Sequence, residues 1–343
     1  MNLIKYAVKR LIIMAPILFG VLTFTFILSR LMPGDPAVAL LQARGLREFP
    51  IEVYRQMVRQ LGFDDPLIIQ YFRYISELFT GNWGVSVSIE RNQPVWNLIM
   101  ENFPRTVDLT IFSMLLGSFL GIKLGIIAAT HRSERPDMIV RGLSLIGVSI
   151  PIFFLGMLMQ YVFGILIPIF DPIGYRSALY EDPPVFTGFY IIDALISGKW
   201  GSLMDYILHL ILPVICLSFV VFASISRQIR ASMLDELSKD YVRTARAKGC
   251  KEKDLVRDHV LQNALIPTIT ITGLNLANLL TGVLFIEITF GITGMGQLFI
   301  EAILLTDYWV LSAIVFLITI LFILTNLITD IIYAKLDPRI RYK

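Results

Sequence analysis

The sequence predicts an all-α polytopic membrane protein with six transmembrane helices, and three observations carry that reading. The 343 residues are 55% hydrophobic and only 17% charged, against roughly 45–50% and about 25% in a soluble domain. The mean hydropathy is +0.69. The charges gather in a few blocks between long uncharged runs, whereas a water-facing surface needs them interspersed. A soluble globular fold is excluded, and so is a disordered chain, which cannot carry this much apolar mass. The net charge of +3 is too mild to point to nucleic acid. Cys216 and Cys250, one in an apolar run and one in a charged segment, are expected to be free thiols.

A helix needs about 20 apolar residues to cross about 30 Å of hydrocarbon. Runs without Asp, Glu, Lys or Arg extend over Leu11–Ser29, Gly142–Phe170, Tyr206–Ser226, Val260–Ile286 and Tyr308–Thr329, with 19, 29, 21, 27 and 22 residues. A sixth stretch, Thr106–Thr130, is broken only by Asp108 and Lys123. Lys123 lies near the end of its run, where it can snorkel to the headgroups or serve as an intramembrane charge. The chain divides into 1–30 (terminal segment and first span), a partly helical loop 31–104, a core 105–333 and a tail 334–343. Core helices are expected at about 106–130, 142–168, 205–226, 264–288 and 308–332, with a large loop at 227–262.

An even number of spans puts both ends on one side, and the loops on that side hold 19 of the 30 Lys and Arg. The positive-inside rule makes that side cytoplasmic. Ala37-Val38-Ala39 has the composition of a signal-cleavage site, but the apolar run before it is longer than the roughly 7–15 residues of a signal core. The first span is therefore retained. Of the two long outside loops, 31–104 is rich in aromatics and 171–203 in proline and acids.

The loop 227–262 reads as two short helices. Ser238 is placed to cap the first, Tyr241 and Ala245 share a face one turn apart, and Gly249 suits a left-handed stop. In the second, Leu255, Val256, His259 and Val260 form an apolar stripe. Such a pair can lie flat on headgroups or seat in a groove of another protein. The fifth span carries Thr268, Thr270, Thr272, Asn275, Asn278 and Thr281, a seam for interhelical hydrogen bonds or for a polar pathway with Asn275 and Asn278 near mid-depth. Glu287 follows, either functional or solvated at the interface.

Specific segments then narrow the reading. Asp240-Tyr241-Val242-Arg243-Thr244-Ala245-Arg246-Ala247-Lys248-Gly249, followed by His259-Val260-Leu261-Gln262-Asn263-Ala264-Leu265-Ile266-Pro267, resembles the coupling loop of ABC-importer permeases, those of the dipeptide/oligopeptide family above all. Met32-Pro33-Gly34-Asp35-Pro36, Gln93-Pro94-Val95-Trp96, Gly188-Phe189-Tyr190-Ile191-Ile192-Asp193 and Leu336-Asp337-Pro338-Arg339-Ile340-Arg341 extend the resemblance over nearly the whole chain. Against the general importer pattern, Arg243 stands where Glu is expected and Thr244 where the first Ala is, and the following proline is displaced to Pro267.

The resemblance implies a type I importer fold in the cell membrane. It implies a second homologous permease, two ATPase subunits, an extracytoplasmic substrate-binding protein and surrounding lipid as partners, with no cofactor. The cargo implied is a di- or oligopeptide, with nickel chelates or oligosaccharides as alternatives. Tyr241, Arg243, Thr244, Ala245, Gly249 and Leu255 are the implied docking or lever residues. Gly291, Gly294 and Gly296 resemble a short glycine-bearing turn beside the outer gate, with Glu287 next to it; the plain alternative is a helix-ending loop. No G-x-x-x-x-G-K-[ST] phosphate loop or H-E-x-x-H zinc motif occurs, so ATP hydrolysis is expected in other subunits. A secondary transporter, the main rival, needs coupling-ion acids near mid-membrane, where this sequence has none.

Overall fold

The computed structural model describes residues 3–31, 34–46 and 48–336. Met32, Pro33 and the tail motif from Asp337 onward lie outside them. Along the chain run α1 (Leu3–Leu31), α2 (Pro36–Ala43), α3 (Ile51–Leu61), α4 (Leu67–Thr80), α5 (Val95–Thr130), α6 (Arg135–Ser149) and α7 (Ile152–Gln160), which continues as a π-turn to Leu166. Then follow α8 (Tyr190–Ser197), α9 (Trp200–Leu237), α10 (Asp240–Ala247), the single turn α11 (Glu252–Asp254) and a π-segment Leu255–Val260. They lead into α12 (Leu261–Phe290), α13 (Met295–Leu304) and α14 (Tyr308–Leu336).

Four helices are by themselves long and apolar enough to cross a membrane: Tyr6–Leu31, Val95–Thr130, Trp200–Leu237 and Tyr308–Ile332. Two bent pairs pass the same test, so the described residues carry four spans, or six if each pair counts as one. The straight third span expected over 142–168 is one of these pairs. Its halves α6 and α7 meet at 104°, because Pro151 forces Ile150 into an extended conformation (φ −86°, ψ 125°). The fourth span is longer than expected. At 38 residues, α9 measures about 57 Å and outruns the hydrocarbon by several turns, so the loop following it starts near Ser238 rather than at 227.

The chain folds as two compact units. The first is built mainly from 105–292 around α9, the most buried of the four straight spans. Gly117, Gly121 and Gly125 recur every fourth residue on α5 and press against Val221, Ile225 and Ile229 of α9. A Cβ placed on them would come within 2.6, 2.8 and 2.9 Å of that helix. Gly147 of α6 does the same against Ala223, at 2.9 Å. Side chains of equal apolarity to lipid gain little by leaving it, so spans associate through close backbone approach. Hydrogen bonds add register: Ser144 and Ser226 are 2.8 Å apart through their hydroxyls, and the Arg230 guanidinium grips Asp137 with two bonds of 2.6 and 2.8 Å.

The second unit takes 8–104 and 293–324. Asp35 caps α2 by accepting from the Ala37 and Val38 amides, with Pro36 in the first turn. Asp307, at the foot of α14, is fully buried. Its Oδ2 accepts from the Ser86 hydroxyl (2.6 Å) and from the amides of Val87 and Ser88 (both 2.9 Å), which fixes that loop on the α14 end.

Candidate functional site

The segment Ser238–Val260 builds a short stiff element at the end of α9. Ser238 is not the cap expected for α10. Its hydroxyl donates back to the Asp235 carbonyl at 2.7 Å, because α9 runs on to Leu237 and makes Ser238 its C-cap. Lys239 precedes α10 without a side-chain cap. α10 ends as its glycine predicts: Gly249 has φ +82°, its amide donates to Arg246 O at 2.9 Å, and the Cys250 amide donates to Ala245 O at 3.1 Å. This pairing closes the last turn in the left-handed form that glycine adopts without strain. Instead of a regular second helix, one turn of α11 passes into the π-segment Leu255–Val260.

Burial sorts the predicted residues into two sets. Val242, Leu255 and Val260 are fully buried, in one core with Ile229 and Met233 of α9, and Tyr241 and Ala245 pack half-buried against it. The Tyr241 hydroxyl donates to Glu236 Oε2 at 2.8 Å and accepts from Asn263 Nδ2 at 3.4 Å, joining the end of α9 to the start of α12. Arg243, Thr244, Ala247, Lys248 and Gly249 are exposed. On the water side, Arg246 holds Glu252 through bonds of 2.6 and 3.2 Å and keeps that carboxyl below its ordinary range. The Glu236–Asn263 link runs through one tyrosine hydroxyl and leaves no periodic trace in the sequence.

The polar seam of α12 is only partly shared. Thr268 donates to Ala264 O, and Thr272 to Thr268 O, so both hydroxyls turn back onto their own helix. Asn275 is 8% exposed, and its Nδ2 has no hydrogen-bond partner among the described residues. Asn278 is exposed, and the side chains of Thr270 and Thr281 lie outside the described set.

At the other end of α12, Glu287 is 0% exposed, which removes the solvated reading. Its Oε1 accepts from the Thr106 hydroxyl of α5 at 2.5 Å. Gly291 ends the helix at φ +65°, with the Ile292 amide donating to Glu287 O at 2.9 Å. The last carbonyls are satisfied from outside the helix: Gln160 Nε2 donates to Thr289 O (2.9 Å) and the Gly174 amide to Phe290 O (2.7 Å). Gly294 precedes α13 as its cap, and Gly296 is buried in its first turn. A further buried pair, the Tyr206 hydroxyl donating to Asp108 Oδ2 at 2.9 Å, bridges α9 and α5.

Comparison with known proteins supplies the context for this arrangement. Residues 121–342 match the family described as "Binding-protein-dependent transport system inner membrane component", and residues 3–110 match its N-terminal companion. The chain is 38% identical to the di/tripeptide transport system permease protein DppB of Pseudomonas aeruginosa, over 99% of this chain and all of that one. It is 40% identical to a probable D,D-dipeptide transport system permease protein, DdpB of Escherichia coli, over 94% of this chain and 93% of that one. In structure it is similar to a chain of the MetNI methionine ABC transporter in an inward-facing conformation. The TM-score is 0.54 at 17% identity, over 71% of this chain and 98% of that chain. With the helices and their apolar runs, these matches make it a multi-pass membrane protein of the type I importer fold, and the chain belongs to the family of binding-protein-dependent transport system inner membrane components.

Proposed function

We propose that this chain is the transmembrane permease subunit of an ATP-driven importer of di- or oligopeptides. The observation that carries the reading is end-to-end similarity to di- and tripeptide permeases in a chain that also holds a rigid amphipathic element at the end of its most buried straight span. In this reading the termini are cytoplasmic, as the distribution of Lys and Arg favours. Two ATPase subunits, a second permease and an external binding protein complete the importer, and ATP is hydrolysed in the ATPase subunits.

Arg243, Thr244, Ala247 and Lys248 form the face offered to an ATPase cleft. Tyr241, Ala245 and Leu255 anchor the element to α9 and α12, and Gly249 sets its turn. ATPase closure then moves α10 and the core it is packed into, and the spans follow as alternating access. Asn275 lines the path: a buried amide without a partner costs about 1–3 kcal/mol, a cost a polar cargo offsets in passing. Glu287, held by Thr106, belongs to the outer gate together with Gly291, Gly294 and Gly296.

The test is peptide uptake by the whole importer in proteoliposomes. Asn275→Leu should cut uptake several-fold while the variant still co-purifies with its ATPase subunits. Normal uptake would remove Asn275 from the path, and a chain that purifies without ATPases would end the importer reading.

A further inference from the structure

A groove between α6 and α9 lies apart from the coupling element and the polar seam. It has a volume of about 580 Å³ and is lined by Met138, Arg141, Gly142 and Leu145 of α6 and by Arg227 and Arg230 of α9. The four α6 positions recur at spacings of three and four and therefore share one face.

Its charge is unbalanced. The carboxylate beside the groove, Asp137, is 0% exposed. It already accepts both bonds from Arg230 and a third, of 3.0 Å, from the Ser133 amide. Arg227 spends only its Nε, donating to Ala223 O at 3.1 Å. Among the described residues neither Arg227 nor Arg141 has a carboxylate within ion-pair distance, and Arg141 meets the charge of Asp137 only at longer range. Two guanidiniums thus face the cavity with donors to spare.

The floor between them is bare backbone, since a Cβ on Gly142 would meet nothing within 4 Å. The flanks are apolar: Met138 and Leu145 are 58% and 65% exposed. The depth is equally informative. Arg227 immediately follows the uncharged α9 stretch Tyr206–Ser226, the first charge beyond a hydrocarbon-length segment, which is headgroup level. The Ser144–Ser226 and Asp137–Arg230 contacts hold Arg141 of α6 at the same level.

We propose that this groove is a binding site for an anionic phospholipid. Arg141 and Arg227 donate to its phosphate oxygens over the Gly142 backbone, and an acyl chain runs along Met138 and Leu145. Planar guanidiniums match phosphate oxygens with paired donors, and basic pockets between spans at headgroup depth suit lipid phosphates. The ligand must combine a compact anion with an apolar tail, and the bilayer supplies that combination. The site goes beyond the transport reading and needs only the membrane placement; in the orientation proposed above it faces the cytoplasmic leaflet.

The test is native mass spectrometry of the intact importer released from phosphatidylcholine discs made with or without phosphatidylglycerol. The wild type should retain phosphatidylglycerol over phosphatidylcholine, and Arg141→Gln/Arg227→Gln should lower that retention by about tenfold or more. Gly142→Leu should exclude the lipid with both arginines intact. It meets no neighbour and favours the helix, so it preserves the fold even if the double variant does not. Met138→Ser/Leu145→Ser separates lipid from free phosphate: it should weaken lipid retention, and millimolar inorganic phosphate should not displace the lipid from the wild type. Displacement by inorganic phosphate, with no effect of the serine pair, would make this a soluble-anion site and overturn the lipid proposal. Equal retention of the two lipids by the wild type, or undiminished retention by Gly142→Leu, would overturn it as well.

Discussion

α9 is held in two ways along its length. Through its middle it meets α5 and α6 backbone to backbone, at glycines whose missing side chains let the helices close. At its end it is joined to α10 and the π-segment by buried side chains (Met233, Val242, Leu255, Val260) and by the Glu236–Tyr241–Asn263 hydrogen bonds. The difference follows from the solvent. Inside lipid an apolar side chain gains little by changing neighbours, so dispersion at short range and shape hold the helices. Next to water the hydrophobic effect returns and burying one face of a short helix suffices. A short element at the water's edge can therefore be small and sequence-tolerant on its outer face, whereas the glycine seam in the middle of α9 has no room for a methyl group.

The largest expected effect lies in that seam. Gly121→Leu places a Cβ 2.8 Å from both Cβ and Cγ2 of Ile225. Overpacking of this kind costs about 1–3 kcal/mol, and more where backbone must move. The variant should lose several degrees of thermal midpoint and most of its monodisperse yield. Gly142→Leu, the same exchange on α6 over open space, should lose neither. If the two glycines tolerate leucine equally, close approach is not what holds α9.

Hydropathy hides this seam. Gly117, Gly121 and Gly125 sit inside the run Thr106–Thr130, and in a hydropathy count a glycine is merely weakly apolar. The apolar runs, the turn at Gly249 and the special standing of Glu287 were legible because each leaves a local mark: a charge-free length, a glycine after a helical face, a carboxylate where none belongs. Partnerships were not legible. Asp137 and Arg230 are 93 residues apart, and neither carries a local mark of the other. Pro151 sits inside 29 residues without a charge, and that length predicts one span and hides the bend. Leu255 was legible as one residue of an apolar stripe, and it is fully buried in the core around α9.

A middle-sized effect is expected at the lever's turn. Gly249 has φ +82° with open space around its missing Cβ, so a substitution there acts through the backbone alone. Gly249→Val should cost about 1–2 kcal/mol locally and lower peptide uptake per ATP hydrolysed, with little change in assembly. Gly249→Asn, which tolerates the left-handed region, should keep most of the coupling. Equal losses in the two variants would show that the outer surface of the turn matters rather than its conformation.

The smallest effect belongs to the Arg246–Glu252 pair that spans the same turn. Arg246 lowers the Glu252 carboxyl from its ordinary value, chiefly by hydrogen bonding. The stabilisation is thus complete above the unfolded-state pKa and is lost only as pH falls through the lower folded-state value. Both side chains are largely exposed, at 46% and 64%, so the pair is worth about 0–1 kcal/mol before salt screening. Glu252→Gln should lower the uptake-to-ATP ratio only slightly at neutral pH and low salt, and that small difference from the wild type should vanish as pH falls below the ordinary glutamate range, where the wild-type carboxyl is itself protonated and the pair is gone. A loss as large as that of Gly249→Val at neutral pH would invert the comparison: the lever's stiffness would then come from its charged outer clasp, and the buried face of α10 would be incidental to the motion it transmits.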